Sequence, residues 1–165
     1  MPAGQRATAQ TVSRPRAAGA WLGGISLAVL AADQLAKALV AARFQPGDSV
    51  PLLPLLRLTY VQNTGAAFGL FKGGQLVFIL VSLGVIGWIL RETVRAGGQA
   101  GRAWLAAAGL VLGGAAGNLL DRVRLGHVID FIDLRVWPVF NVGDAAITVG
   151  VALLILQSLR AGRRS

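Results

Sequence analysis

Four long apolar blocks constrain the fold of this chain more than any other feature of its sequence. Three of them carry no charged side chain and lie at residues 73–90, 103–120 and 145–159. A fourth runs from Ala17 to Ala42, with Asp33 and Lys37 as its only charged residues. A helix needs about 20 mostly apolar residues to cross the hydrocarbon core of a bilayer, and flanking neutral residues bring each block near that length. We therefore predict an all-α membrane protein with four transmembrane helices, at about residues 18–42, 74–91, 102–123 and 141–160.

The composition supports a membrane protein and excludes several kinds of site. Charged residues make up only 14% of the 165 residues and hydrophobic ones 55%, whereas roughly a quarter of a soluble domain is charged. The chain has no cysteine. Disulfides, thiol nucleophiles and cysteine-ligated metal sites are therefore excluded.

The basic residues predict the topology. One group precedes the first block, one separates the second block from the third, and one follows the fourth: Arg6, Arg14 and Arg16; Arg91, Arg95 and Arg102; Arg160, Arg163 and Arg164. Four crossings put all three groups on one side, which the positive-inside rule makes cytoplasmic. Both termini are then cytoplasmic. The net charge of +9 is thus a topology signal, and we expect no nucleic-acid partner.

The chain is expected to form one membrane domain with short polar ends. Residues 1–16 are basic and proline-containing, which predicts a disordered cytoplasmic N-terminus. The four-helix domain is predicted over residues 17–161, and residues 162–165 form a cytoplasmic tail. Arginines before an apolar run also resemble a cleaved signal peptide, but this run continues past Asp33 without a small-residue cleavage site. We therefore predict that the first block is a retained span.

Two outer connections are too long to be simple turns. In residues 43–72, Leu58 and Tyr60 alternate with Arg57, Thr59 and Val61, a period of two that predicts a short strand. The second connection, residues 124–140, is also rich in β-prone residues. A small extracytoplasmic segment containing β structure is therefore expected on the helices.

Polar side chains that interrupt the apolar blocks gather at one depth. The predicted topology places the following residues in the outer half of the bundle: Asp33, Lys37, Asn118, Asp121, Arg122, Asn141 and Asp144. Ionisable groups inside a membrane are costly and usually line an interior or a watery cavity. A cluster at a single depth is therefore a candidate site.

Most of these residues also have a structural interpretation, which we favour. Asp33 and Lys37 stand four residues apart in the order that suits a helical ion pair. Asp121 and the adjacent Arg122 suit a scaffold at a helix end, and Asn118 suits a hydrogen bond between helices. Outside the cluster, we give the lone histidine His127 no role, and Asp133 suits a solvated partner of Arg135.

Asp130 and Asp144 differ from the other acids. Asp144 falls in the first turn of the fourth helix, where Asn141 is a predicted N-cap and the helix dipole favours an ionised carboxylate. Asp130 lies between Ile129 and Phe131, and such apolar surroundings favour the protonated form. Two carboxyl groups with different environments can form an aspartic-protease pair. Spacing alone leaves this pair and two solvated acids as alternatives.

Five motifs in order give the chain a resemblance to the lipoprotein signal peptidase family, also called signal peptidase II. They are DQLAK at 33–37, NTGAAFG at 63–69, GNLLDR at 117–122, VIDFID at 128–133 and FNVGD at 140–144. Together with the four spans they cover nearly all of the chain after residue 17.

The resemblance implies an aspartic endopeptidase of the bacterial inner membrane, with its active site toward the outer face. Such enzymes cleave diacylglyceryl-modified prolipoproteins just before the lipobox cysteine. The catalytic pair falls on Asp130 and Asp144. Residues that support the pair or the substrate fall on Asn63, Gly65, Asn118, Arg122 and Asn141, and structural polar residues on Asp33, Lys37 and Asp121. No metal and no cofactor are implied, and we expect a monomer surrounded by membrane lipid.

The chain departs from the family pattern at a few positions. Gly143 stands where the family usually has Ala before the second catalytic Asp, and Gly69 stands where Ser is common. The spacing between Asp130 and Asp144 is also short for the family. We expect these changes to be tolerated and Gly143→Ala to keep or raise activity.

Two other functions remain as alternatives. A small ion or proton transporter could relay ions through intramembrane acids such as Asp33 and Asp144. It would need acids spread across the membrane depth, whereas here they collect on one side. A non-catalytic assembly factor would need no acid pair, so conservative changes of Asp130 or Asp144 would leave its binding intact.

Overall fold

The computed structural model describes residues 15–65 and 74–162. Helices and strands follow one another as α1 Pro15–Arg43, β1 Ser49–Leu53, β2 Leu56–Asn63, α2 Gly74–Arg95, α3 Arg102–Leu125, β3 Val128–Asp133 and α4 Val142–Gly162. The predicted disorder of residues 1–14 and the predicted tail at residues 163–165 lie outside the described residues. Residues 15 and 16, predicted as part of the disordered end, begin α1 instead. Proline suits this position because the first turn of a helix needs no backbone N–H.

Within the described ranges, four helices are long and apolar enough to cross a membrane, which confirms the predicted fold class. Large apolar side chains on α1, α2 and α4 are exposed, as lipid-facing side chains are: Leu27, Leu35, Leu39, Leu76, Val77, Leu80, Val81, Val149, Ile155 and Leu156. Six of the eight predicted boundaries differ in the structure: α1 spans Pro15–Arg43, α3 ends at Leu125 and α4 ends at Gly162. The helix α2 continues past Arg91 to Arg95, and α4 begins at Val142.

The central helix is α3, which packs against each of the other three helices. Its sequence is dominated by Ala and Gly, and small residues let helices approach closely in a membrane, where no hydrophobic force drives them together. Gly109, Gly113 and Gly117 stand four residues apart on the face toward α1. A Cβ on Gly109 would lie 2.9 Å from Ile25, and one on Gly113 would lie 2.5 Å from the carbonyl oxygen of Ser26. This glycine face was not recognised in the sequence, and it fixes the distance between α1 and α3.

The contact between α3 and α4 depends on the same device. A Cβ on Gly114 of α3 would overlap the carbonyl oxygen of Gly143, which lies in the first turn of α4. Farther along α4, a Cβ on Gly150 would lie 2.7 Å from the carbonyl oxygen of Ala107. The first turn of α4, which contains Asp144, is therefore pressed against the middle of α3.

The three strands form an antiparallel sheet in the order β1-β2-β3. The strand predicted from the alternation is β2, and its predicted inner residues Leu58 and Tyr60 pack against a small core that includes Val40 and Phe131. The strand β1 was not predicted, because its sequence lacks alternation and includes Pro51. An edge strand tolerates proline, since one side of its backbone needs no partner.

The sheet lies at the end of the bundle where α1 and α3 finish and α4 begins. The short connections from Leu125 to Val128 and from Asp133 to Val142 place β3 against α1 and α3. The same end of the bundle contains the buried polar residues of α1 and α3. The sheet therefore covers the polar cluster predicted from the sequence.

We expect Gly113→Ala to destabilise the protein by roughly 1 to 3 kcal/mol, because the added methyl group overpacks the contact between α1 and α3. The matched control is Gly84→Ala in α2, where a Cβ would meet no atom within 4 Å. The thermal unfolding midpoints of both variants in detergent check the expectation. Equal midpoints would show that the α1–α3 contact does not depend on glycine.

Candidate active site

The polar cluster is organised around Lys37, whose side chain is fully buried. Its ammonium group lies 2.7 Å from Asp33 Oδ2, 2.8 Å from Asp121 Oδ2 and 2.8 Å from Asn118 Oδ1. An ammonium has three donors and no acceptor, so these contacts use its whole capacity. The ion pair of Asp33 and Lys37 predicted from their spacing is present, and Asp121 is a second acidic partner. One positive charge thus links α1 to two positions on α3.

Asp33 also determines where α4 begins. Its Oδ1 accepts a hydrogen bond of 2.8 Å from the backbone N–H of Gly143. The first N–H groups of a helix have no partner within the helix and carry a partial positive charge, which a carboxylate satisfies. The absence of a side chain at Gly117 makes room for the Asp33 carboxylate. A buried acid of α1 therefore anchors the first turn of the helix that carries Asp144.

Asn141 caps α4, as predicted. Its Oδ1 accepts the backbone N–H of Asp144 at 2.8 Å, and Asp144 Oδ2 accepts the backbone N–H of Asn141 at 3.2 Å. This reciprocal arrangement is a capping box, which satisfies two backbone donors at once. It fixes the backbone of Asp144 and the orientation of its carboxylate.

The amide of Asn118 has only one orientation that satisfies its neighbours. Its Oδ1 accepts hydrogen bonds from Lys37 and from Asn141 Nδ2, which lies at 3.1 Å. Because an ammonium can only donate, the oxygen of Asn118 must face Lys37. The Nδ2 group of Asn118 then donates to Asp144 Oδ1 at 2.7 Å. The predicted role of Asn118 as a bridge between helices is therefore present.

Asp130 lies on β3 with 1% of its surface exposed. Its Oδ1 accepts a hydrogen bond of 2.6 Å from Asn141 Nδ2, and its Oδ2 one of 2.9 Å from Asn63 Nδ2. Burial and the nearby charge of Asp144 raise the pKa of Asp130 and the hydrogen bond from Asn63 lowers it, with a net pKa of about 6. This direction agrees with the protonated form expected from the apolar neighbours. Asn141 contacts both acids and joins them into one unit.

Gly65 orders the chain that leads away from Asn63. Its backbone N–H donates to Asn63 Oδ1 at 2.9 Å, which leaves the amide nitrogen of Asn63 directed at Asp130. The φ of Gly65 is 76°, and a Cβ there would lie 2.6 Å from the Phe78 ring. Both facts favour glycine at this position. Residues 66–69 of the NTGAAFG motif, including the departure at Gly69, lie outside the described residues.

Arg122 is held beside the acids and forms no ion pair with the residues that the structure describes. Its guanidinium lies over the Phe78 ring at 4.9 Å from the centroid and donates to the carbonyl oxygen of Asn118 at 3.3 Å. Gln75 donates to the carbonyl oxygen of Arg122 at 2.9 Å. A cation over an aromatic face is attracted by the ring quadrupole. Phe78 therefore contacts both Arg122 and Gly65.

Three residues of this site were missed in the sequence. Gln34 donates to Asp121 Oδ1 at 2.9 Å and lies next to Asp33, so its place in the DQLAK motif was an available signal. Gln75 and Phe78 stand in α2 with nothing in the sequence to distinguish them from ordinary lipid-facing or packing residues. Only the packing of α2 on α3 brings them to Arg122.

Asp133 and His127 lie apart from the cluster. Asp133 accepts hydrogen bonds from the Thr59 hydroxyl at 2.9 Å and from the backbone N–H of Arg135 at 2.8 Å. These two hydrogen bonds lower its pKa, that from Arg135 most. The predicted partner is thus correct, although the contact uses the backbone of Arg135. His127 makes no hydrogen bond or ion pair with any of the residues described.

The two central acids differ in their access to the surroundings. Asp130 is buried, whereas Asp144 is half-buried and lines a mostly apolar cavity of about 370 Å³ with residues of the β3–α4 connection and α4. One carboxyl is thus shielded and the other can be reached, an arrangement suited to general acid–base chemistry on a bond delivered along the cavity. Within the described ranges no three His, Asp or Glu side chains form a group that could hold a metal ion. Metal-independent chemistry stays a prediction.

Comparison with known proteins assigns the family. The model of a family described as signal peptidase (SPase) II matches residues 25–160. The chain belongs to the signal peptidase II family. The lipoprotein signal peptidase of Halothermothrix orenii is 43% identical over 133 residues, which cover 80% of this chain and 90% of that protein. That of Syntrophomonas wolfei is 45% identical over 142 residues, which cover 86% and 94% of the two chains.

A solved structure supports the same assignment. It is described as a bacterial membrane enzyme determined by the in meso method at 2.3 Å resolution, and it matches with a TM-score of 0.78 at 30% identity. The match covers 87% of this chain and 90% of that chain. This member of the signal peptidase II family is thus a protease and a multi-pass bacterial membrane protein. The comparisons do not favour the alternative of an ion or proton transporter.

Gly143 lies at a crowded point of the site. A Cβ there would lie 3.1 Å from Asn141 Oδ1, 3.1 Å from the carbonyl oxygen of Gly114 and 3.2 Å from Asp33 Oδ1. Each of these oxygens belongs to the contacts that position Asp144. The expectation that Gly143→Ala keeps or raises activity stays a prediction. An alanine Cβ at position 143 requires these oxygens to move by a few tenths of an ångström.

The raised pKa of Asp130 predicts a pH-dependent stability. Between the ordinary pKa of 3.8 and the folded value of about 6, the folded protein retains a proton that the unfolded chain has lost. The free energy of unfolding therefore falls as the pH rises through this window and stays lower above it, by on the order of 2 to 3 kcal/mol. Asp130→Asn removes this dependence.

The thermal unfolding midpoint of wild type and of Asp130→Asn, measured in detergent from pH 4 to pH 8, checks this sign. The wild-type midpoint should decrease relative to the variant as the pH rises. A difference between the two proteins that does not vary with pH would contradict the raised pKa.

We expect Asp33→Asn to lower stability by about 3 kcal/mol, because it removes one of the two carboxylates that compensate the buried Lys37 charge. Asp48→Asn is the control, since Asp48 is exposed and its carboxylate accepts only the backbone N–H of Gln45 among the described residues. Chemical or thermal unfolding in detergent measures both. If Asp33→Asn alone abolished cleavage in a protein of wild-type stability, the structural interpretation of Asp33 would be wrong.

Proposed function

We propose that this protease cleaves signal peptides from diacylglyceryl-modified prolipoproteins, just before the lipobox cysteine. The names of its relatives support a lipoprotein substrate. The observation that carries the proposal is the joining of Asp130 and Asp144 through Asn141. Two carboxyl groups in one hydrogen-bonded unit, with one buried and one reachable, suit the chemistry of an aspartic peptidase.

In the proposed mechanism, Asp144 acts as general base and Asp130 as general acid. The ionised carboxylate of Asp144 takes a proton from a water molecule as the water oxygen attacks the scissile carbonyl carbon. Protonated Asp130 gives its proton to the carbonyl oxygen, which forms a neutral tetrahedral intermediate. When the C–N bond breaks, Asp144 gives its proton to the leaving nitrogen and Asp130 takes the proton of one hydroxyl of the intermediate, so the C=O bond re-forms and both acids return to their starting states.

The supporting residues hold the pair and the substrate backbone in this proposal. Asn118 and Asn141 hold Asp144, and Asn63 and Asn141 hold Asp130. Arg122 sits close enough to act on both acids electrostatically and keeps guanidinium donors for a substrate carbonyl. Gly65 keeps Asn63 in place.

The reaction is proposed to take place at the outer face of the bacterial cytoplasmic membrane. The basic groups of the sequence favour cytoplasmic termini, and the acid pair lies at the opposite end of the helices from the α2–α3 connection. A substrate anchored by acyl chains presents its scissile bond near the membrane surface. A site at the edge of the bilayer is therefore suited to such a bond.

Asp130→Asn and Asp144→Asn are each expected to abolish cleavage, by about a thousandfold or more, while the protein stays folded. Asparagine keeps the shape of the side chain but can neither accept nor release the proton. Asp133→Asn is the matched control, because Asp133 lies on the same strand and contacts neither acid. A gel-shift assay on a purified diacylglyceryl-modified prolipoprotein measures cleavage, and a parallel reaction with a chelator tests metal independence.

Cleavage by Asp130→Asn or by Asp144→Asn at the wild-type rate would contradict the proposed mechanism. Cleavage of an unmodified precursor at the same rate would contradict the proposed substrate class. Loss of activity in Asp133→Asn would show that the assay reports damage to β3 rather than the chemistry of the pair.

A further inference from the structure

The sheet carries a second cavity away from the acid pair. It has a volume of about 530 Å³ and lies beside the β1–β2 hairpin, with two arginines and four apolar or proline residues around it: Pro51, Leu52, Leu53, Pro54, Arg57 and Arg135. The candidate active site uses none of these residues. The two guanidinium groups come from different segments, β2 and the chain that follows β3.

Both arginines keep donors available at this cavity. The Arg57 guanidinium donates to the hydroxyl of Ser49 at 2.8 Å and to its carbonyl oxygen at 3.2 Å, which fixes its position and leaves further N–H groups. The Arg135 side chain makes no hydrogen bond or ion pair with any residue that the structure describes. The nearby Asp133 directs its oxygens at Thr59 and at the backbone of Arg135. The positive charges of Arg57 and Arg135 therefore lie near one carboxylate, that of Asp133, whose oxygens already accept other hydrogen bonds.

The backbone at Arg135 is held in a conformation that arginine rarely adopts. Its φ is 66°, and it is the only non-glycine residue with positive φ in the described ranges. The hydrogen bond from its N–H to Asp133 Oδ1 holds this conformation. Such strain persists only where the surroundings impose it, and it is common at binding sites. The strained turn places Arg135 at the same cavity as Arg57.

The surface around the two arginines is apolar and continuous with the membrane-facing side of α4. Leu53 of the hairpin is 62% exposed, and Val136 and Trp137 are 83% and 68% exposed. Trp137 and Leu134 also line the cavity that runs along α4 to Val149. Exposed Trp and Leu beside arginine are typical of the boundary between hydrocarbon and headgroups. These side chains suit a position of the hairpin and the 134–137 loop at the level of the lipid phosphates.

We propose that Arg57 and Arg135 form a binding site for the phosphate of an outer-leaflet phospholipid. Arginine pairs with phosphate through several parallel N–H donors, and the exposed apolar side chains would contact the acyl chains of the same lipid. A bilayer lipid is favoured over a soluble anion because the two charges are surrounded by apolar groups that meet membrane. The site would anchor the outer sheet to the lipid beside the acid pair.

Native mass spectrometry of the detergent-purified protein, titrated with phosphatidylglycerol, tests the site. We expect wild type to retain one phosphatidylglycerol molecule that Arg57→Gln/Arg135→Gln binds at least about tenfold more weakly. Arg124→Gln is the matched control, because Arg124 is exposed at the same end of the bundle and lines a different cavity. Arg135→Gln alone should weaken retention without affecting folding, since the Arg135 side chain makes no hydrogen bond or ion pair with the described residues.

The proposal would be overturned if wild type, Arg135→Gln and Arg57→Gln/Arg135→Gln all retained phosphatidylglycerol equally. Binding of inorganic phosphate alone with the same affinity and the same dependence on the arginines would assign the site to a soluble anion and overturn the lipid. Unchanged lipid retention together with slower cleavage only of substrates with an acidic segment after the cut would assign the arginines to the peptide instead. Retention is measured without substrate, so its failure is distinguishable from a failure of the proposed cleavage.

Discussion

The buried ammonium of Lys37 is the interaction on which the rest of the site depends. In the low dielectric of a membrane interior, a charged group persists only when its donors are all satisfied by close partners. Here Asp33, Asp121 and Asn118 supply those partners from two helices. The same contacts orient the Asn118 amide and leave Asp33 free to hold the start of α4. The orientation of Asp144 thus follows from the solvation of a lysine that takes no part in the proposed chemistry.

This network can exist only because the helices approach closely. Side chains as short as those of Asp33 and Asn118 reach across an interface only when no other side chain stands between the backbones. The glycines of α3 remove that obstacle on two faces, toward α1 through Gly113 and Gly117 and toward α4 through Gly114. In a bilayer, where apolar side chains gain little by leaving lipid, such contacts and hydrogen bonds hold helices together. The close packing of the helices and the polar network at the site therefore depend on each other.

The sequence predicted the parts of the structure that depend on local pattern. The four spans follow from uncharged length, β2 from its alternation, and the polar cluster from topology combined with helix ends. The strand β1 was not predicted, because Pro51 and the adjacent leucines show no period of two. The sequence did not predict the contacts of Gln34, Gln75 and Phe78. These contacts form only after α1, α2 and α3 pack on glycine faces, and single residues do not reveal that packing. The raised pKa of Asp130 was predictable from its apolar neighbours, whereas its two amide donors were not.

The capping box at the start of α4 makes one carboxylate serve two purposes. Asp144 Oδ2 accepts the N–H that begins the helix, while the same carboxylate faces the cavity beside the acid pair. A proton taken up by Asp144 weakens its acceptance of that N–H, so each turnover would briefly loosen the first turn of α4. An inhibitor that stabilises the protonated carboxyl would therefore act on the helix as well as on the reaction, and amide exchange at Asn141 would register its binding. In the proposed mechanism, the protonation of Asp144 would therefore change the amide exchange of the backbone that it caps.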